Sequence, residues 1–120
     1  MSDASEERRA VRRTLENLAS RLENARAARD GDVVLRLTGV GGGTYALSSH
    51  QRKVSVAESA EGVSGAPLVE VMGDAEVVRA IVDGEVDARE RFLQGGLRLR
   101  GDLRYFSDVA LELGLLKTPL

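Results

Sequence analysis

The chain contains no cysteine, no tryptophan and a single histidine, His50. Without cysteine it forms no disulfide, offers no thiolate to a metal ion and has no cysteine nucleophile. Since it also has only two phenylalanines and two tyrosines, its core must be built from Leu, Val, Ile and Ala. We therefore predict an aliphatic interior, no bound metal ion and no cofactor.

An excess of one charge and a long apolar run are also missing. The 120 residues carry a formal net charge of −2, so no overall positive charge attracts the chain to nucleic acid. No apolar run approaches the roughly 18 residues of a membrane span, and the first residues lack the apolar region of a signal peptide. These absences predict one cytoplasmic domain over residues 1–120, without a nucleic-acid partner. Arginine outnumbers lysine 15 to 2, which we take as a sign of a bacterial source.

Two kinds of apolar spacing divide the first part of the chain. Residues 4–29 repeat apolar side chains every three or four positions, which predicts an amphipathic helix. Alternation of apolar and polar residues then predicts three half-buried antiparallel strands, each with one solvent-exposed face, at residues 33–39, 44–48 and 52–58. Residues 67–73 are predicted to form a fourth strand.

The helical spacing returns after residue 73. Asp74, Asp87 and Asp102 each precede a short apolar repeat and are predicted to cap a helix. A fifth strand, residues 97–101, lies before the last of these helices. The apolar faces of the helices and strands either pack solid or enclose a lipid-sized tunnel, and composition alone leaves both open.

A glycine-rich stretch, residues 39–43, follows the first predicted strand. A phosphate-binding loop needs such glycines to open a helix, whose N-terminus supplies the amide donors. Here residues 44–47 alternate like a strand, and the next lysine is Lys53. The stretch therefore predicts a hairpin turn.

The first turns of the first helix carry Arg8, Arg9, Arg12 and Arg13. One interpretation is contact with anionic lipid headgroups. The other, which we favour, is a solvated face whose charge is offset by neighbouring glutamates. We expect at most transient contact with a membrane surface.

Groups for catalysis are few. His50 is the only candidate base for a serine triad, but the adjacent Ser49 points to the opposite side of its strand. Tyr45, Glu70 and Tyr105 are the only polar candidates for a site inside the fold. Glu70 interrupts an apolar strand. Its position in the alternation favours the solvent-exposed face of that strand, and the alternative is a buried carboxylate with a raised pKa. We predict that the protein is not an enzyme.

An ordered pattern covers residues 73–113: a short apolar helix, a glycine, an acidic turn, a phenylalanine, an alternating strand and an amphipathic helix. This order and spacing resembles the sterol carrier protein 2 (SCP2) family of lipid-binding domains. The matching residues are Gly84, Asp87, Phe92, Gly95, Leu97, Leu99, Gly101 and Asp102.

The resemblance implies an α+β fold with a mixed five-stranded sheet, helices packed on one face and an apolar cavity between them. It implies a non-enzymatic carrier of a hydrophobic small molecule, such as a fatty acyl chain, a sterol-like molecule or another lipid or natural product. Tyr105 and Phe106 are bulkier than is common in the family and could narrow the cavity. We expect the ligand to contact Leu35, Leu37, Tyr45, Leu47, Val56, Ile81, Phe92, Leu99, Phe106, Val109 and Leu113.

A ligand-free interaction module is the alternative function. The end of the chain carries the apolar residues Leu115, Leu116 and Leu120, which must be shielded from water by another surface. It could form an interface in a homodimer or with a partner biosynthetic enzyme, or it could close the cavity as a lid. The sequence leaves these roles open.

Overall fold

The computed structural model describes residues 3–120, which form four helices and five strands. Their order along the chain agrees with the order that the sequence predicts. They are α1 (Asp3–Glu23), β1 (Gly31–Thr38), β2 (Gly43–His50), β3 (Lys53–Ala57), β4 (Val69–Asp74), α2 (Ala75–Val82), α3 (Ala88–Leu93), β5 (Leu97–Gly101) and α4 (Leu103–Glu112).

The strands form one mixed sheet in the order β3-β2-β1-β4-β5. β1 pairs antiparallel with β2 and parallel with β4, and β5 runs antiparallel to β4. The mixed five-stranded sheet and the antiparallel pairing of β1, β2 and β3 are therefore confirmed, and the parallel direction of β4 is a feature that the sequence did not predict. The chain leaves the edge strand β3, crosses the sheet and enters β4 in the direction of β1. Alternation within one strand carries no information about the direction of its neighbour.

The helices cover one face of the sheet. On β1, Leu35 and Leu37 belong to the core, while Arg36 between them points to the opposite face and is exposed. The same alternation on β4 buries Val69 and Val71. Covering one sheet face with helices gives a two-layer α+β fold whose core lies between the layers.

Residues 58–68 form the loop that joins β3 to β4. It must pass over β2 and β1 because β3 is an edge strand and β4 lies beyond β1. Val34 and Ala46, which point away from the helices, are each only 2% exposed. We attribute their burial to this loop, which we infer to cross the face of the sheet away from the helices.

The first helix is shorter than predicted. It ends at Glu23, and the following turns are closed by bonds such as Ala25 N–H to the Leu22 carbonyl at 3.1 Å. The carboxylate of Glu112 then accepts hydrogen bonds from the Arg26 and Ala27 N–H groups, at 2.6 and 2.9 Å. These two amides would bond to carbonyls of the preceding turn in a longer helix, so the carboxylate from α4 replaces that helical turn.

The predicted hairpin and helix caps are confirmed. Gly39 and Gly41 both have φ near +81°, and the Gly42 N–H closes the turn on the Gly39 carbonyl at 3.0 Å. The three caps share one arrangement, a carboxylate that accepts a backbone N–H of the first helical turn. They are Asp74, Asp87 and Asp102.

Candidate functional site

An apolar cavity of about 80 Å³ lies in the core between the sheet and the helices. Its wall is wholly apolar at the accessible surface. The sheet contributes Val33, Leu35, Leu47, Val69, Val71 and Leu97. The helices and the C-terminal segment contribute Leu18, Leu22, Val78, Ile81, Val82, Ala88, Tyr105, Phe106, Val109, Ala110, Leu113 and Leu115.

The cavity exists because several facing side chains are too short to meet. Ala88 and Ala110, on α3 and α4, present only single methyl groups to the cavity, and half of the lining residues from the sheet are valines. Close-packed cores leave few voids larger than a water molecule. For comparison, an engineered apolar cavity of about 150 Å³ stays dry and binds benzene. This cavity therefore holds a small apolar group as it stands and must widen to hold a long chain.

Arg21 is a charged side chain that joins three of the helices around the cavity. Its guanidinium donates to the Val82 carbonyl at 3.2 Å and to the Leu113 carbonyl. Both carbonyls belong to the C-terminal ends of helices, where carbonyl groups lack intrahelical partners and a positive charge is favourable. Val82 and Leu113 also line the cavity. Arg21 therefore places a cation next to two residues of the cavity wall.

The C-terminal segment packs on its own chain. Leu115 and Leu116 are buried, and the Leu115 carbonyl accepts the Ala88 N–H at 3.0 Å. Lys117 N–H donates to the Asp87 carboxylate at 3.0 Å. Because Leu115 lines the cavity, this segment forms part of its wall.

The predicted ligand contacts fall into two groups. Leu37 and Tyr45 are buried in the core away from the cavity wall, and Val56, Phe92 and Leu99 are half-buried at its periphery. The other six predicted residues line the cavity together. They are Leu35, Leu47, Ile81, Phe106, Val109 and Leu113.

Sequence reasoning missed Leu18, Leu22 and Arg21 on α1. The apolar stripe of α1 contained both leucines, but nothing in it marked which part of the stripe faces a void. The signal for Arg21 was its place inside that stripe, next to Leu22, where a charge needs partners.

The polar candidates for catalysis do not meet. The Tyr45 hydroxyl donates to the Gly41 carbonyl at 3.3 Å, and the Tyr105 hydroxyl accepts the Arg29 N–H at 3.3 Å. Glu70 lies on the face away from the helices. His50 approaches only Asp30, with 3.8 Å between Nδ1 and the carboxylate. Within residues 3–120 no group of His, Asp and Glu could hold a metal ion.

The shifted carboxylates all lie outside the cavity. The hydrogen bond from Arg36, at 2.5 Å, lowers the pKa of Glu70 below its usual value. The Arg26 and Ala27 amides do the same to the pKa of Glu112. The Tyr105 amide, followed by the guanidinium of Arg29, lowers the pKa of Asp102. Each of these carboxylates is held ionised for a structural role.

A second hollow, of about 210 Å³, lies between the end of α1 and the β2–β3 turn. Glu23 and Asp30 face Arg29 and Arg52 there, so its charges cancel. The guanidinium of Arg29 is already bonded to Asp102 at 2.7 Å. Its mixed lining gives no ligand class a preference.

The sequence profile of the SCP-2 sterol transfer family matches residues 12–110. No curated protein matches the chain. None of the helices within residues 3–120 is long and apolar enough to cross a bilayer.

Three solved structures show the likeness of the fold. The crystal structure of sterol carrier protein 2 like 2 from Aedes aegypti is 24% identical, with a TM-score of 0.61 over 89% of this chain and 95% of that one. The solution structure of palmitated SCP2L2 from Aedes aegypti is 22% identical, with a TM-score of 0.61 over 83% and 90%. The UbiJ-SCP2 ubiquinone synthesis protein is 16% identical, with a TM-score of 0.61 over 83% and 92%.

Proposed function

Because the chain belongs to the SCP-2 sterol transfer family, we propose that it binds one hydrophobic small molecule in the apolar cavity and carries it unchanged through the cytoplasm. Family membership supports lipid or sterol binding or transfer in general. The observation that supports this site is the wholly apolar cavity between the sheet and helices. Burial of hydrocarbon there would provide the affinity, and no bond would be made or broken.

The ligand that best fits the surroundings is an acyl chain with an anionic head. Arg21 lies beside the cavity wall, and its partners among the described residues are two neutral carbonyls, so a ligand carboxylate could accept hydrogen bonds from its guanidinium in a charge-assisted pair. Palmitate is the ligand named for the similar Aedes aegypti structure. The chain would contact the six predicted residues that line the cavity, and the other five predicted residues only after the cavity enlarges.

The energy of such binding is sufficient for reversible carriage. Each buried methylene contributes about 0.8 kcal/mol, so a twelve-carbon chain gains roughly 10 kcal/mol before costs. Association costs at least about 4 kcal/mol, and separating the helices from the sheet costs more. The net gain of at most about 6 kcal/mol corresponds to a Kd of tens of micromolar or weaker, which allows both uptake and release.

A cavity-filling variant tests the proposal. Ala110→Leu puts extra methyl groups into the void, so a fluorescent fatty acid should lose saturable binding while the free energy of unfolding stays within about 1 kcal/mol. The matched control is Val40→Leu, which enlarges an exposed side chain outside the cavity and should leave binding unchanged. Native mass spectrometry of the purified wild-type protein should show an added mass of lipid size.

Two results would contradict the carrier function. One is a wild-type protein that carries no lipid and takes up no probe; the other is a probe that Ala110→Leu binds as well as wild type. The first would favour the second candidate function, a ligand-free accessory module for a biosynthetic enzyme. The similarity of the fold to the UbiJ-SCP2 ubiquinone synthesis protein supports that candidate.

A further inference from the structure

β5 forms an open edge of the sheet. It is the last strand in the order β3-β2-β1-β4-β5 and pairs only with β4. Among the described residues, no hydrogen bond from another element reaches its outer side. An edge of this kind presents unpaired N–H and C=O groups and can accept a further strand.

The opposite edge of the sheet is blocked. On β3, the Val54 N–H donates to the Glu23 carboxylate at 2.8 Å, and the Val56 carbonyl accepts from Arg12 at 3.2 Å. Both side chains come from α1 and occupy backbone groups that a new strand would need. Only the β5 edge is therefore free for strand addition within the described sheet.

Exposed apolar side chains stand at both ends of β5. Leu93, at the end of α3, is 66% exposed and precedes the strand by a short turn. Leu103, at the start of α4, is 41% exposed and follows it. Two of the large apolar side chains that this fold leaves in water thus flank the same unpaired edge.

The charge along β5 selects the kind of strand that fits. Arg98 and Arg100 point to the face away from the helices and are exposed. Arg100 lies 3.6 Å from the Glu70 carboxylate, which Arg36 already binds at 2.5 Å. No carboxylate of the described residues lies within ion-pair distance of Arg98. On the sheet face away from the helices, β5 therefore carries positive charge that the described carboxylates do not fully neutralise.

A second copy of this chain is a poor occupant. Antiparallel pairing of β5 with itself would place arginines opposite arginines, and like charges directly opposite each other destabilise a strand pair. We infer that the β5 edge, with Leu93 and Leu103, binds an extended segment of another protein that carries carboxylates at alternating positions. The alternate residues of that segment would be apolar and would lie beside Leu99. The inference is independent of ligand binding, because this edge lies outside the cavity.

Two short capped peptides test the inference. One alternates glutamate with valine, and the other has lysine in place of every glutamate. In a titration followed by amide chemical shifts, the acidic peptide should perturb residues 93–103 and bind roughly tenfold more tightly than the basic one. The difference should shrink at high salt, since the arginines are exposed.

Charge-reversal variants supply the controls. Arg98→Glu should abolish or reverse the preference for the acidic peptide, and its fold can be checked by circular dichroism because Arg98 has no ion pair to lose among the described residues. Arg9→Glu makes the same charge change on the exposed side of α1 and should leave the preference intact. If Arg9→Glu removes the preference as well, overall charge explains the attraction and the inference is wrong.

Other outcomes also overturn the inference. Equal binding of the two peptides, no binding, or perturbed amides outside residues 93–103 would each exclude strand addition at β5. A concentration-dependent dimer in sedimentation, with shifts confined to β5, would make a second copy the occupant. Binding of anionic vesicles through residues 93–103, without binding of the acidic peptide, would make a membrane the occupant.

Discussion

Arg21 connects three helices with one side chain. From α1 it reaches carbonyls at the ends of α2 and α4, and hydrogen bonds from charged donors stabilise proteins more than neutral ones do. The cap residues Asp74, Asp87 and Asp102 could be predicted because their partners lie two or three positions away. The role of Arg21 could not, because Val82 and Leu113 are distant in the sequence and meet it only after folding.

We predict that Arg21→Gln lowers the free energy of unfolding by about 1–2 kcal/mol, since charge-assisted bonds are lost at two helix ends. It should also weaken the binding of a fatty acid roughly tenfold while a fatty alcohol of the same length binds as before. Chemical denaturation and a fluorescent-probe displacement assay measure the two effects. Arg8→Gln, an exposed change on the same helix, serves as the control. An equal loss for acid and alcohol would exclude a charge pair with the ligand.

Glu70 makes stability depend on pH. Its folded pKa is lowered by the hydrogen bond from Arg36, so its contribution is present above its unfolded pKa of about 4.3 and is lost as the pH falls through the folded value. Glu70→Gln should therefore destabilise the protein by about 0.5–1 kcal/mol at neutral pH and by progressively less below pH of about 4. Urea denaturation across pH measures this. Glu61→Gln, in the exposed loop, is the matched control, and a difference for Glu70→Gln that stays constant with pH would refute the prediction.

Helices and turns that are specified by neighbouring residues were predicted from the sequence, whereas features that depend on distant residues were not. The hairpin at residues 39–43 and the short helices after residue 73 follow from nearby glycines and aspartates, so the sequence predicted them. The early end of α1 depends on Glu112 in α4, and the direction of β4 depends on where the loop 58–68 crosses. The cavity wall likewise follows from how α1, α2 and α4 approach the sheet. Six of the eleven predicted contacts line it because their strands and helices were placed correctly.

The C-terminal segment offers a matched pair of variants. Leu115 and Leu116 are both buried, but only Leu115 lines the cavity. Leu115→Ala and Leu116→Ala should each lower the free energy of unfolding by about 2–4 kcal/mol. Only Leu115→Ala should increase the affinity for a longer fatty acid, because it enlarges the space for the ligand. Thermal unfolding with and without ligand separates the two, and equal ligand effects would place the ligand elsewhere.

For the whole molecule, the resemblance to a family supplied what composition could not. An aliphatic core with few aromatics is compatible with solid packing or with a void. In this fold, a void of about 80 Å³ separates the two cases. That volume depends on side-chain positions to within a methyl group, which neither periodicity nor capping determines. The mixed sheet and the helices on one of its faces followed from the resemblance; the volume between these layers did not.

The small cavity predicts how affinity changes with ligand length. Successive fatty acids should each gain less than the roughly 0.8 kcal/mol of a fully buried methylene, because each must also push the helices from the sheet. Beyond some length the affinity should stop rising. Stabilisation measured as the shift of the unfolding midpoint at fixed ligand excess reports this series. A gain of about 0.8 kcal/mol for every added methylene would mean that the acyl chain lies in a site that is already wide enough.

The path of the loop 58–68 also constrains how the protein folds. Val33 pairs with Val69 at the centre of the sheet, yet the chain between them includes the whole β2–β3 hairpin and the crossing loop. Closing such a distant pair costs more chain entropy than closing a hairpin, and topologies rich in distant pairs fold slowly. The hairpins can therefore form early, while the pairing of β1 with β4, which joins the two halves of the sheet, forms late. Until the two halves pair, each exposes to water the apolar residues that would form the ligand-binding cavity.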